Sequence, residues 1–144
     1  KGGFTPVPPA ASGIVVPGDA KALAVTDLDG DGWPDLLVSR NDSSTLAFKN
    51  RGAGGRHSLA IRLRWRPGNL AGIGAGVRLR LRSGAVQAAE AHAGSGYFSQ
   101  SSPACFFGWT EADPPVGADV RWPDGSLTRH DMAGKSASVT LAAP

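Results

Sequence analysis

Residues 27–35 read Asp-Leu-Asp-Gly-Asp-Gly-Trp-Pro-Asp, and this stretch limits the fold more than any other part of the chain. Asp27, Asp29, Asp31 and Asp35 take its first, third, fifth and ninth places. Four carboxylates so close together repel one another unless a cation neutralises them. A hard cation with about six to eight oxygen ligands suits such a set, and calcium is the usual one. Gly30 and Gly32 let the backbone turn tightly enough for alternate side chains to converge, and the Trp33 carbonyl supplies the seventh-position ligand. The flanks, 22–25 and 36–38, are short apolar runs that suit buried strands. An EF-hand is excluded, because Val38 stands where that loop needs its twelfth-position Glu. An ion-free acidic turn is the competing interpretation, since Asp and Gly are common turn residues. Four Asp at this spacing favour the metal, so a strand–calcium loop–strand unit is expected.

The rest of the chain fits that local picture. It has 144 residues, enough for one core or one core with a small annex. Its 20 Gly and 11 Pro punctuate short runs rich in Val, Leu and Thr, which indicates a mainly β protein. No stretch approaches the roughly 20 apolar residues of a membrane span. The chain starts at Lys1, as expected of a processed chain or an excised piece. A single cysteine, Cys105, excludes an internal disulfide, and its apolar setting predicts a buried, inert thiol. Residues 1–50 hold four basic and six acidic side chains, and residues 51–144 hold eleven and six. Together these give the net charge of +3 and suggest two different structural units.

Residues 1–13 read as an irregular or flexible lead-in. Four short strands are expected at 14–16, 22–26, 36–39 and 45–49, which amounts to one propeller-type blade. The glycine-rich segment 51–56 marks a boundary, giving units at 1–50 and 51–144. Beyond it Leu59, Ile61, Leu63 and Trp65 alternate with Arg62, Arg64 and Arg66. Val77, Leu79 and Leu81 alternate in the same way with Arg78, Arg80 and Arg82. Period-two patterning predicts half-buried strands. Further strands are expected near 86–92, 104–108, 118–122, 126–130 and 138–141, with a turn at 123–125. Seven or so short strands with Gly/Pro turns predict an antiparallel sandwich or barrel, so the whole chain reads as all-β.

Residues 19–49, centred on the Asp27–Asp35 loop, resemble an FG-GAP/VCBS repeat, a family of calcium-binding propeller blades in secreted adhesion proteins. Residues from about 50 to 141 resemble an ASPIC/UnbV domain. The matching segments are Gly72-Ile-Gly-Ala-Gly-Val-Arg-Leu79, Gly94-Ser-Gly-Tyr-Phe-Ser-Gln-Ser-Ser102 and Val120-Arg-Trp-Pro-Asp-Gly125. Phe107-Gly108-Trp109-Thr110 departs from that family's usual Phe-Gly-Leu-Gly turn, so a differently shaped turn is expected there. The resemblance implies a secreted or cell-envelope protein with a recognition role. It brings no catalytic residues.

Two further sets of residues are candidate ligand sites. If the strands at 59–66 and 77–82 are neighbours, Arg62, Arg64, Arg66, Arg78, Arg80 and Arg82 share one face. Like charges opposite each other destabilise a sheet, so solvent, nearby acids or an anionic glycan must relieve them; nucleic acid fits a protein of this type less well. In the loop 94–102, Tyr97 and Gln100 could bind a sugar or protein partner; alternatively the loop is a tight connection whose Tyr97 and Phe98 pack the core. His57, His92 and His130 come without a nucleophile elbow, a zinc spacing or a P-loop, so no catalysis is expected. The expected function is a non-enzymatic, calcium-binding extracellular module for adhesion or recognition. Further propeller blades would belong to a longer parent chain. The alternative is a purely architectural cap on a propeller.

Overall fold

The computed structural model describes residues 3–135 and 137–144, so the first two residues of the expected lead-in lie outside the described residues. Among the described residues ten strands carry the fold. β1 (Ala20–Thr26), β2 (Asp35–Arg40) and β3 (Ser43–Phe48) form a three-stranded antiparallel sheet. β4 (Arg56–Arg64), β7 (Cys105–Thr110) and β10 (Ala137–Ala142) form a second sheet, with β4 in its centre. β5 (Gly76–Leu81), β6 (Val86–Glu90), β8 (Pro115–Arg121) and β9 (Leu127–Asp131) form a third, in the order β6-β5-β8-β9.

The second and third sheets make an open sandwich rather than a barrel. Leu59, Ile61 and Leu63 of β4 meet Val77, Leu79 and Leu81 of β5 in one core with Phe107, Val120, Trp122 and Met132. Leu59, Ile61, Val77 and Leu79 are fully buried, and each such side chain contributes about 1.5–3 kcal/mol. The alternation read from the sequence therefore identifies the core faces correctly. One pairing departs from the all-antiparallel expectation, because β10 runs parallel to β4. β9 is an edge strand of the third sheet and β10 an edge strand of the second.

The segment 120–125 closes the β8–β9 hairpin. The Trp122 amide donates to the Ser126 carbonyl at 2.8 Å, and the Gly125 amide donates to the Trp122 carbonyl at 2.9 Å. The fully buried Trp122 ring donates its Nε1–H to Thr128 Oγ1 at 3.0 Å. Residues 107–110 are not a turn. They continue β7, with Phe107 in the core and Trp109 stacked on His57 at 4.2 Å.

The blade has three strands where four were expected. Residues 14–16 lie outside every strand, following a one-turn helix α1 (Pro9–Ser12). The edge of β1 that such a strand would pair with is already used. Ser99 Oγ donates to the Leu23 carbonyl at 2.6 Å, the Val25 amide donates to Ser101 Oγ at 3.0 Å, and the Ser102 amide donates to the Val25 carbonyl at 2.8 Å. The 94–102 loop thus serves as a substitute edge strand and ties the blade to the sandwich. An open cavity of about 910 Å³ remains over the blade, lined by Ile14, Val25, Leu36 and Phe48 among others.

Candidate metal centre

The turn between β1 and β2 carries the acidic nonapeptide. It is organised by its own carboxylates. Asp27, the first residue after β1, accepts the Gly30 amide on Oδ1 at 2.8 Å and the Gly32 amide on Oδ2 at 3.2 Å. Asp35, the first residue of β2, accepts the Leu28 amide at 2.9 Å and the Asn50 amide at 2.8 Å. Asp31 Oδ1 accepts the Trp33 amide at 2.9 Å. Gly32 has φ +85° and packs so closely on the Ala137 backbone that a Cβ would overlap it. Only glycine meets both demands.

Three of the four carboxylates converge. Asp27, Asp29 and Asp35 each bring an oxygen to within 4.8 Å of the others, and Asp27 and Asp35 are buried. Asp31 stands outside this group, occupied with the Trp33 amide. An ionised carboxylate offers about four acceptor positions, so Asp27 and Asp35 retain capacity after their two backbone bonds each. The donors are all hard oxygens, which suit calcium or magnesium rather than a soft metal. Of these two, calcium is the larger and less geometrically demanding ion.

Two cations border the group. Lys49, just after β3, contacts Asp29 and lies 3.5 Å from Asp31. Its ammonium holds the Asp29 carboxyl below the usual carboxylate range, and Asp29 in turn raises Lys49. Arg62 Nη2 is 3.6 Å from Asp27 Oδ2. Lys49 was legible in principle, because the β2–β3 hairpin pairs Phe48 with Leu36 and so places position 49 beside Asp35.

The six arginines do not share a face. β4 and β5 belong to opposite sheets of the sandwich, so residues pointing away from the common core point in opposite directions. Arg62 faces the acidic loop, Arg64 is exposed, and Arg66 pairs with Asp124 at 2.7 Å while lying over Trp65. On the other side Arg78 and Arg82 are exposed, and Arg80 lies 3.7 Å from Asp119. That outer face also carries Arg129, which the sequence reasoning missed. The β8–β9 register sets Arg78, Asp119 and Arg129 in one row of alternating charge.

Tyr97 and Phe98 do not pack the core. They are 72% and 76% exposed and meet edge to face at 4.5 Å, with Phe98 at φ +50°. Gln100 faces inward to its own loop, its Oε1 accepting the Gly94 amide at 3.2 Å. Cys105 is 3% exposed, and burial pushes its thiol up to about 11, which keeps it protonated and unreactive near neutral pH.

Comparison with known proteins agrees with this geometry. The family model described as ASPIC and UnbV matches residues 65–143, and the FG-GAP repeat matches residues 21–56. Cartilage acidic protein 1 of Mus musculus is 30% identical over 120 residues, covering 81% of this chain and 18% of that protein. The Homo sapiens and Xenopus tropicalis proteins of the same name are 31% and 33% identical with the same coverage. The chain therefore spans about 18% of the length of these relatives. Among the described residues no helix is long and apolar enough to cross a membrane.

Proposed function

The chain belongs to the ASPIC and UnbV family, with an FG-GAP repeat ahead of that module, and on this premise we propose that it is a calcium-stabilised, non-enzymatic recognition module of a secreted protein. One observation carries the calcium reading: two buried carboxylates, Asp27 and Asp35, converge with Asp29 within 4.8 Å. Asp27, Asp29 and Asp35 would hold the ion, with Asp31 and the Trp33 carbonyl completing the set. Bound there, calcium neutralises the loop and fixes the junction of β1 with β2. It has a structural role. Isothermal titration of the full chain with calcium tests this, with one site per chain expected and Asp35→Asn abolishing it. No heat of binding at millimolar calcium would remove the reading.

The recognition role rests on the exposed Tyr97–Phe98 pair, two aromatic rings presented on a hydrogen-bonded loop. Exposed aromatics of this kind suit the apolar face of a sugar ring or a protein partner. An anionic glycan would draw on Arg78 and its neighbours on the outer face of the third sheet, rather than on a single six-arginine face. A second reading is favoured by the serine bonds to the edge of β1: the sandwich acts as the architectural cap of a propeller in a longer parent chain. Partner binding by the isolated chain separates the two readings.

A further inference from the structure

The acidic loop does not stand free of the sandwich. Ser58 on β4, buried at 7% exposure, donates its hydroxyl to the Gly32 carbonyl at 2.6 Å. That carbonyl shares a planar peptide with the Trp33 amide, which donates to Asp31 at 2.9 Å. One peptide plane is therefore pinned at both ends, by the Asp31 carboxylate on one side and by the sandwich on the other. The amide of the same Gly32 donates to Asp27. Arg62, two turns of the pleat along β4, places Nη2 3.6 Å from Asp27 Oδ2 and donates Nη1–H to Ser138 Oγ at 2.7 Å. Gly32 itself rests on the backbone of Ala137 at the start of β10.

We propose that the metal centre is a joint construction of blade and sandwich, in which Ser58 and Arg62 are positioning residues that hold the loop in its ion-binding form. The proposal rests on the calcium reading above. Rotation of the Gly32–Trp33 peptide would release the Asp31 carboxylate and disturb Gly32, whose own amide, in the adjoining peptide, is held by Asp27, and Ser58 prevents it. Arg62 offsets part of the charge on Asp27 while staying anchored to β10. Calcium binding and docking of the blade are therefore coupled, and coupling free energy is reciprocal: docking tightens calcium, and calcium tightens docking. The signal reaches the serine loop as well, because β1 runs directly into Asp27 and carries the bonds to Ser99, Ser101 and Ser102.

The full-length chain with calcium alone as probe tests this. Ser58→Ala removes the cross-boundary hydroxyl and leaves every loop carboxylate in place. Its calcium dissociation constant, measured well below melting, is expected to rise about fivefold, the worth of one net hydrogen bond, and Ser58→Thr is expected to recover most of it. In the wild type, saturating calcium is expected to slow hydrogen exchange of the Ser102 amide at least fivefold. Unchanged affinity in Ser58→Ala overturns the role of Ser58, and unchanged Ser102 exchange in a chain that does bind calcium overturns the coupling. A wild-type chain that binds no calcium overturns both this proposal and the reading beneath it. If Ser58→Ala does not fold, the wild-type exchange decides.

Discussion

Lys49 reaches over the acidic loop to Asp29 and Asp31, lying 3.5 Å from the second. Its position follows from the β2–β3 hairpin, which returns the chain beside Asp35. A cation held there competes with any metal for the same carboxylates. In a watery environment a unit charge beside a divalent ion opposes it by about 1 kcal/mol. Lys49→Gln is therefore expected to tighten calcium binding roughly fivefold, measured by calorimetric titration at low salt. Weaker binding would mean that Lys49 supports the loop rather than competing with the ion.

Gly30 and Gly32 both adopt positive φ, yet their surroundings differ. A Cβ at Gly30 meets open space, whereas one at Gly32 overlaps the Ala137 backbone. Gly30→Ala pays mainly for the left-handed backbone, about 1 kcal/mol. Gly32→Ala adds the clash and should cost about 3 kcal/mol or more. Urea unfolding of the two variants checks the order, and equal losses would contradict the close packing of loop on sandwich.

Two hairpin turns of the third sheet make stability depend on acid. Bonds from the Ser83 amide and then the Ser83 hydroxyl hold the Asp113 carboxyl below its ordinary value; the Ser126 hydroxyl and then its amide do the same for Asp124. As pH falls, the unfolded chain takes up protons first, near the ordinary carboxyl value of 3.8. The stabilisation is therefore complete above about pH 5 and is lost as pH falls through the lower folded values. Asp113→Asn should be less stable at pH 7 and lose less on going to about pH 2.5. Urea midpoints across that range measure both effects.

Tyr97 and Phe98 contribute little to the core, being mostly exposed. Tyr97→Ala is expected to leave the melting temperature within about 2 °C, because surface substitutions fall within about ±0.5 kcal/mol. Partner capture on a glycan and protein array should fall sharply. A large loss of stability with binding intact would return the loop to a purely structural role.

Much of the fold was legible because period-two alternation reports which face of a strand is buried. Leu59, Ile61 and Leu63 against Arg62 and Arg64 gave β4, and the Val77–Leu81 pattern gave β5. Alternation does not report which strand lies alongside, so the two arginine rows were placed together when the fold puts them on opposite sides of a sandwich. Residues 14–16 are apolar enough for a strand, but the edge they needed is occupied by serines 76 positions away in the chain from their β1 partners. Serine hydroxyls aimed at backbone look, in sequence, like a binding loop. Spacing pointed to the convergence of Asp27, Asp29 and Asp35, since Asp27 and Asp35 bracket a tight turn between paired strands, but not to Asp31 standing outside it on the Trp33 amide. Ser58 was not legible, because nothing local marks a serine whose partner is a carbonyl in the acidic loop 26 positions away.

The most direct test of a calcium-clamped blade is thermal unfolding of the full chain with calcium and with excess chelator. Calcium that binds the folded loop and not the unfolded chain must raise the melting temperature, by about 2.7 kcal/mol of stabilisation at a hundredfold excess over its dissociation constant. For a chain of this size that is on the order of 5–15 °C. Identical melting curves with calcium and with chelator would contradict the account.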